Sequence, residues 1–116
     1  LMVAQGESEN NDLAGWYNVG PEDQDCVTTG QLVQLFCQAW GKDAAWEDRA
    51  EANAPHEANF LKLDCTKIKA AFGWRPRWTI EEAVEKTVEW TKAWLAERDV
   101  PDVMDGQISG YLEDGR

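Results

Sequence analysis

Helical periodicity that alternates with short branched or aromatic runs predicts a mixed α/β fold for these 116 residues. Two capped, strongly periodic segments anchor the helical part, and three short runs ended by turn or loop residues supply the expected strands. Those runs are too few for a complete doubly wound sheet, so a small lobe lying against a larger partner lobe is expected.

The elements follow in order. Residues 1–5 read as the tail of a helix. The chain opens inside an apolar pattern without a cap, which suggests a piece of a longer protein, cut within a helix. Gly6 to Asp12 is polar and reads as a surface loop. Trp16 to Val19 reads as a strand stopped by Gly20-Pro21. Thr28 and Gln31 form a capping box, which satisfies free N–H groups of a first helical turn. Leu32, Leu35, Phe36, Ala39 and Trp40 then share one helical face, and Gly41 ends it.

Residues 44–49 suggest a second strand, 50–59 a loop containing Pro55, and Phe60 to Leu63 a third strand. Asp64 caps a short helix through Phe72, and Gly73 stops it. Thr79 and Glu82 repeat the capping box before the most periodic segment of the chain. Ile80, Ala83, Val84, Thr87, Val88, Trp90, Thr91, Trp94 and Leu95 fill one half of its wheel, with charged residues opposite. Core packing is expected for Trp90 and Trp94. Arg98 falls at the centre of the apolar face, so the helix should end near it. From Asp99 the chain is expected to be loosely held.

Composition narrows the classes. Apolar residues make up 43% and seven tryptophans add contact area, so a core can form. A net charge of −11 argues against nucleic acid and anionic membrane surfaces as partners. No apolar run reaches the length of roughly 20 residues that a membrane span needs. Cys26, Cys37 and Cys65 are odd in number and form no C-x-x-C pair, which fits a reduced, cytoplasmic protein. One histidine without ligand spacing makes a metal site improbable. No Gly-rich dinucleotide fingerprint and no Tyr-x-x-x-Lys pair are present, so no catalytic or cofactor-binding residue is assigned in this chain.

Against that acidic background, Leu61 to Trp78 gathers Lys62, Lys67, Lys69, Arg75 and Arg77 against one acid, Asp64. A local basic patch on an acidic protein suits a small, defined anion better than a polyanion.

Three segments carry a family resemblance: Gly15-Trp16-Tyr17-Asn18-Val19-Gly20-Pro21, His56 to Asp64 (HEANFLKLD), and Phe72-Gly73-Trp74-Arg75-Pro76-Arg77-Trp78 with the helix after it. Over roughly residues 1–108 the chain resembles the C-terminal part of the CDP-glucose 4,6-dehydratase family. That family is a branch of the extended short-chain dehydrogenase/reductases that act on nucleotide sugars. The resemblance implies a nucleotide-sugar-binding lobe over 1–108, with 109–116 an acidic tail and the Rossmann lobe absent. It implies a parent lyase that converts CDP-glucose to CDP-4-keto-6-deoxyglucose with NAD bound by the missing lobe. A homo-oligomeric parent, joined through that lobe, is also implied. The Gly-Trp-x-Pro-x-Trp segment recurs across the superfamily, so a lobe for a UDP-, dTDP- or GDP-sugar is the alternative. A non-catalytic acidic interaction domain is the reading from another class.

The substrate-binding candidates are Asn18, His56, Lys62, Arg75 and Arg77. Asn18 matches the Asn that faces the nucleotide in similar enzymes; otherwise it bonds its own turn. His56 could donate to a phosphate or ribose, or stand exposed in its loop. Lys62 could point either way. Arg75 and Arg77 flank Pro76, which pushes Arg75 toward extended backbone; they either bind phosphate through paired N–H groups or brace acidic helices. Lys67 and Lys69 suit a solvated helix face. Trp74 and Trp78 are expected to fasten their loop to the long helix.

Overall fold

The computed structural model describes residues 2–49 and 62–113. They form five helices: α1 Met2–Glu9, α2 Thr29–Trp40, α3 Thr66–Phe72, α4 Ile80–Leu95 and α5 Val100–Glu113. Short 3-10 turns lie at Asn11–Leu13 and Asp23–Asp25. Helices α2 and α5 both pack on α4, and α1 packs on α3.

Both capping boxes form. Thr28 accepts the N–H of Gln31 at 3.3 Å, and Gln31 accepts the N–H of Thr28 at 2.9 Å. Thr79 and Glu82 do the same at the start of α4. Gly73 closes α3 in the left-handed region at φ 62, and its N–H bonds Lys69 O at 2.9 Å. Helix α4 ends in a Schellman arrangement, in which Arg98 N–H reaches Ala93 O and Glu97 N–H reaches Trp94 O, both at 3.0 Å. Glu97 takes the left-handed position at φ 52, where glycine is usual.

The expected mixed α/β pattern is corrected: no strand occurs among the described residues. An extended segment becomes a strand only beside a partner that completes its ladder. Residues 16–19 and 44–49 have none among the described residues. Trp16 is 93% exposed, and its carbonyl accepts the Lys67 ammonium at 3.1 Å instead of a neighbouring strand. The third expected strand lies partly outside the described residues, and its described part, Lys62 and Leu63, is irregular.

The polar segment after residue 5 also differs from expectation. Helix α1 continues to Glu9 and a 3-10 turn follows, capped by Asn10 through the N–H of Asp12 at 3.0 Å. The segment after Asp99 is helical rather than loose. Asp99 accepts the Asp102 N–H at 3.3 Å, and Pro101 sits in the first turn, where its missing N–H costs nothing. Val100, Val103, Gln107 and Tyr111 form the half-buried stripe of α5. That stripe outweighs Gly106 and Gly110, each unfavourable by about 1 kcal/mol in a helix.

The buried apolar set is Cys65, Ile68, Val84, Val88 and Ala93. Trp90 is 37% exposed and Trp94 59%, against the expectation that both pack in the core. On α4, Val84, Val88 and Ala93 are buried and Ile80, Ala83 and Thr91 half-buried, while Thr87, Trp90, Trp94 and Leu95 stay exposed. The radius of gyration is 17.8 Å, where a compact chain of this length has about 13 Å. So thin a core leaves much apolar side chain exposed.

Candidate functional site

Glu22, just after Gly20-Pro21, draws the basic stretch together. Its Oε2 accepts Lys69 Nζ at 2.6 Å and its Oε1 accepts Arg75 Nη1 at 3.3 Å. The Lys69 hydrogen bond, then the positive charges of Lys69 and Arg75, hold the Glu22 carboxyl below its ordinary value. Next to it, Asp23 pairs with Lys62 at 3.3 Å. Asp25 anchors this turn. Its carboxylate is buried and accepts the first N–H of α4, from Ile80, at 3.0 Å. That bond satisfies an orphan donor and places a negative charge at a helix N-terminus.

The facing wall comes from the entry to α3. Asp64 accepts the N–H of Thr66 at 2.9 Å, and hydrogen bonding from Thr66 holds its carboxyl low. The Asn18 amide donates to Asp64 O at 3.1 Å, which ties the 16–20 segment to this wall. Between the walls lies a groove of about 630 Å³, lined by Pro21, Glu22, Asp23, Lys62, Asp64 and Lys69, among others. Ligand clefts commonly span about 300–1,000 Å³, so a nucleotide fits such a volume.

The structure thus brings Asn18, Lys62 and Arg75 to one groove and its rim. It does not bring Arg77. Arg77 Nη1 donates to the carbonyls of Tyr111 and Leu112 at 2.7 and 2.9 Å, and its guanidinium lies over the Tyr111 ring. It braces the C-terminal end of α5, where a cation suits the helix dipole. His56 lies outside the described residues. Lys67 turns away from the groove, onto Trp16 O and the Tyr17 ring.

Lys69 and Glu22 are the residues that sequence reasoning missed. Lys69 reads as solvated on helical spacing alone, yet its side chain is 28% exposed and lines the groove. The available signal was an acid immediately after the Gly-Pro turn of an Asn-bearing segment. Nothing local pairs that acid with residues 47 and 53 positions on.

A second, 490 Å³ groove runs between α4 and α5, lined by Lys86, Glu89, Arg98, Asp99 and Asp102, among others. Within it Glu89 accepts Lys86 at 3.1 Å and Gln107 at 3.2 Å, and these bonds hold its carboxyl low. Among the described residues no cluster of His, Cys, Asp and Glu could hold a metal ion. Among them, too, no helix is long and apolar enough to cross a membrane.

Comparison with known proteins gives this site its context. The chain belongs to the NAD-dependent epimerase/dehydratase superfamily. It is 42% identical over 98 residues to the CDP-glucose 4,6-dehydratase of Salmonella typhimurium, a match covering 84% of this chain and 27% of that protein. It is 28% identical over 104 residues to the dTDP-glucose 4,6-dehydratase of Shigella flexneri, again over 84% of this chain and 27% of the relative. Against dTDP-glucose 4,6-dehydratase 1 of Escherichia coli it is 30% identical over 80 residues, covering 64% of this chain and 22% of the relative. The chain therefore spans about a quarter of the length of these relatives. No family model matches it.

Proposed function

We propose that this chain is the substrate-gripping lobe of a CDP-glucose 4,6-dehydratase, with CDP held by the groove of Asn18, Lys62, Lys69 and Arg75. The parent reaction is the redox-neutral conversion of CDP-glucose to CDP-4-keto-6-deoxyglucose. NAD supplies its hydride transfer, but these 116 residues offer no Gly-rich fingerprint to hold that cofactor. The observation that carries the reading is that Lys62 and Lys69 line one nucleotide-sized groove and Arg75 reaches its rim through Glu22.

The chemistry assigned to this lobe is grip. Lys69 and Arg75 offer charged donors to phosphate oxygens, and Arg75 can present two N–H groups at once. The Asn18 amide offers a neutral donor at the same wall. Binding energy from the nucleotide end can then fix the sugar in reactive geometry elsewhere in the parent.

Identity of 42% to a CDP-glucose enzyme, against 28% to a dTDP-glucose enzyme, favours the cytidine nucleotide. The dTDP-glucose relatives make dTDP the second reading. Isothermal titration of CDP, dTDP and UDP into the full-length protein separates the two. Tighter binding of CDP is expected, tighter dTDP supports the second reading, and no nucleotide binding overturns both.

A further inference from the structure

We infer that Glu22 is a built-in counter-ion of the groove, a specificity-determining residue that an entering diphosphate must displace from Lys69 and Arg75. The inference rests on the reading of the groove as a nucleotide site and goes beyond it, because it assigns an acidic residue to the selection of an anion.

The geometry is that of a carboxylate seated where a phosphate would sit. One oxygen of Glu22 takes Lys69 at 2.6 Å and the other takes Arg75 at 3.3 Å. Two oxygens of a single anion bridging two cations is also how a phosphoryl group would engage the pair. The carboxylate is held in place from behind, since the turn that carries it is pinned by Asp25 to the start of α4. Its side chain can therefore swing aside while its backbone stays at the rim.

Charge arithmetic gives the consequence. Among the described residues, the groove is lined by the acids Glu22, Asp23 and Asp64 and the cations Lys62 and Lys69, and Arg75, paired with Glu22 at the rim, brings these charges to balance. A singly charged anion meets no net attraction and cannot outcompete the resident carboxylate. A diphosphate brings more charge than the one group it replaces, so it can. Glu22 thereby sets a charge threshold on what enters. Its hold on Arg75 adds little order, because that side chain remains 72% exposed. Charge, rather than positioning, dominates its effect on the ligand.

Calorimetric titration of inorganic pyrophosphate, inorganic phosphate and CDP into the full-length protein tests this. The proteins compared are wild type, Glu22→Gln and Asp23→Asn. Removing one opposing charge beside the ligand should tighten pyrophosphate binding by roughly 3- to 10-fold in Glu22→Gln and steepen its dependence on salt. Inorganic phosphate, held off in wild type, should become a detectable ligand of Glu22→Gln, with a smaller gain than pyrophosphate because the gain scales with ligand charge. The Asp23 side chain is 90% exposed, so Asp23→Asn keeps the fold and should gain about 2-fold through Lys62. This variant carries the test if Glu22→Gln does not fold. Unchanged or weaker pyrophosphate binding, in a protein whose wild type binds CDP, overturns the counter-ion role alone. A wild type that binds no CDP overturns the groove reading, and this inference with it.

Discussion

The buried carboxylate of Asp25 accepts the backbone N–H of Ile80, 55 residues along the chain, at 3.0 Å. This bond fixes one wall of the candidate site. It fastens the turn that carries Glu22 and Asp23 to the first residue of α4, just beyond the Arg75-Pro76-Arg77 segment. Removing the side chain leaves a helix donor unmet and frees the turn. Asp25→Ala should lower the stability of the protein by about 1–2 kcal/mol, read as a drop in the urea midpoint. Unchanged stability would mean that the bond contributes nothing.

Arg75 and Arg77 look alike in sequence and part company in structure. Arg77 is spent on the carbonyls of Tyr111 and Leu112, beneath an edge-to-face Trp78–Tyr111 contact at 5.0 Å. Arg77→Ala should cost about 1–2 kcal/mol in urea unfolding and leave CDP affinity untouched. Arg75→Ala should do the reverse, weakening CDP by about 10-fold, as expected for one lost charge-assisted contact, with little change in stability. Calorimetry and urea titration on the same pair of variants decide both statements.

Glu97 sits in the left-handed region at φ 52 to complete the end of α4. A side chain there is strained, and glycine is not. Glu97→Gly should therefore stabilise the protein by up to about 1 kcal/mol, the left-handed penalty less the extra entropy of an unfolded glycine. A lower melting temperature for the variant would contradict the assignment. Gly6 is the opposite case, because a Cβ there would collide with the Phe72 ring where α1 meets α3. Gly6→Ala should cost about 1–3 kcal/mol through that overpacking.

Acid should loosen the Glu22 cluster. The Glu22 carboxyl is lowered in the folded protein, first by its Lys69 hydrogen bond. A lowered carboxyl contributes stability above its unfolded pKa and loses it as pH falls through the folded value. The excess urea midpoint of wild type over Glu22→Gln should thus be present at neutral pH. It should fall once the pH drops below the ordinary glutamate range and vanish below the lowered value. An excess that persists at the most acid pH would show that charge is not its source.

Local chemistry made the helices legible. Thr28 with Gln31, Thr79 with Glu82, and the stops at Gly41 and Gly73 mark ends that need no distant partner. The strands were misread because Trp16–Val19 has the composition of a strand, but pairing is a property of two segments. Trp94 was misread because periodicity gives the direction of an apolar face and not the width of what covers it. Helix α5 was missed because its glycines hide a stripe that becomes visible only against α4. In the site, the clustering of Lys62, Lys69 and Arg75 was readable as local charge. The hub was not, because Glu22 meets its partners across 47 and 53 residues, which no short-range pattern encodes. Arg77 shows the converse, a residue inside the right motif that serves a helix end.

Hydrogen–deuterium exchange of the full-length protein, with and without CDP, tests the central claim most directly. Amides of residues 18–25 and 62–75 should slow on binding, while those along the α4–α5 groove near Lys86 and Arg98 stay unchanged. Protection confined to the α4–α5 groove, with residues 18–25 and 62–75 indifferent to the nucleotide, would contradict the assignment of the Glu22–Lys69–Arg75 groove as the binding site.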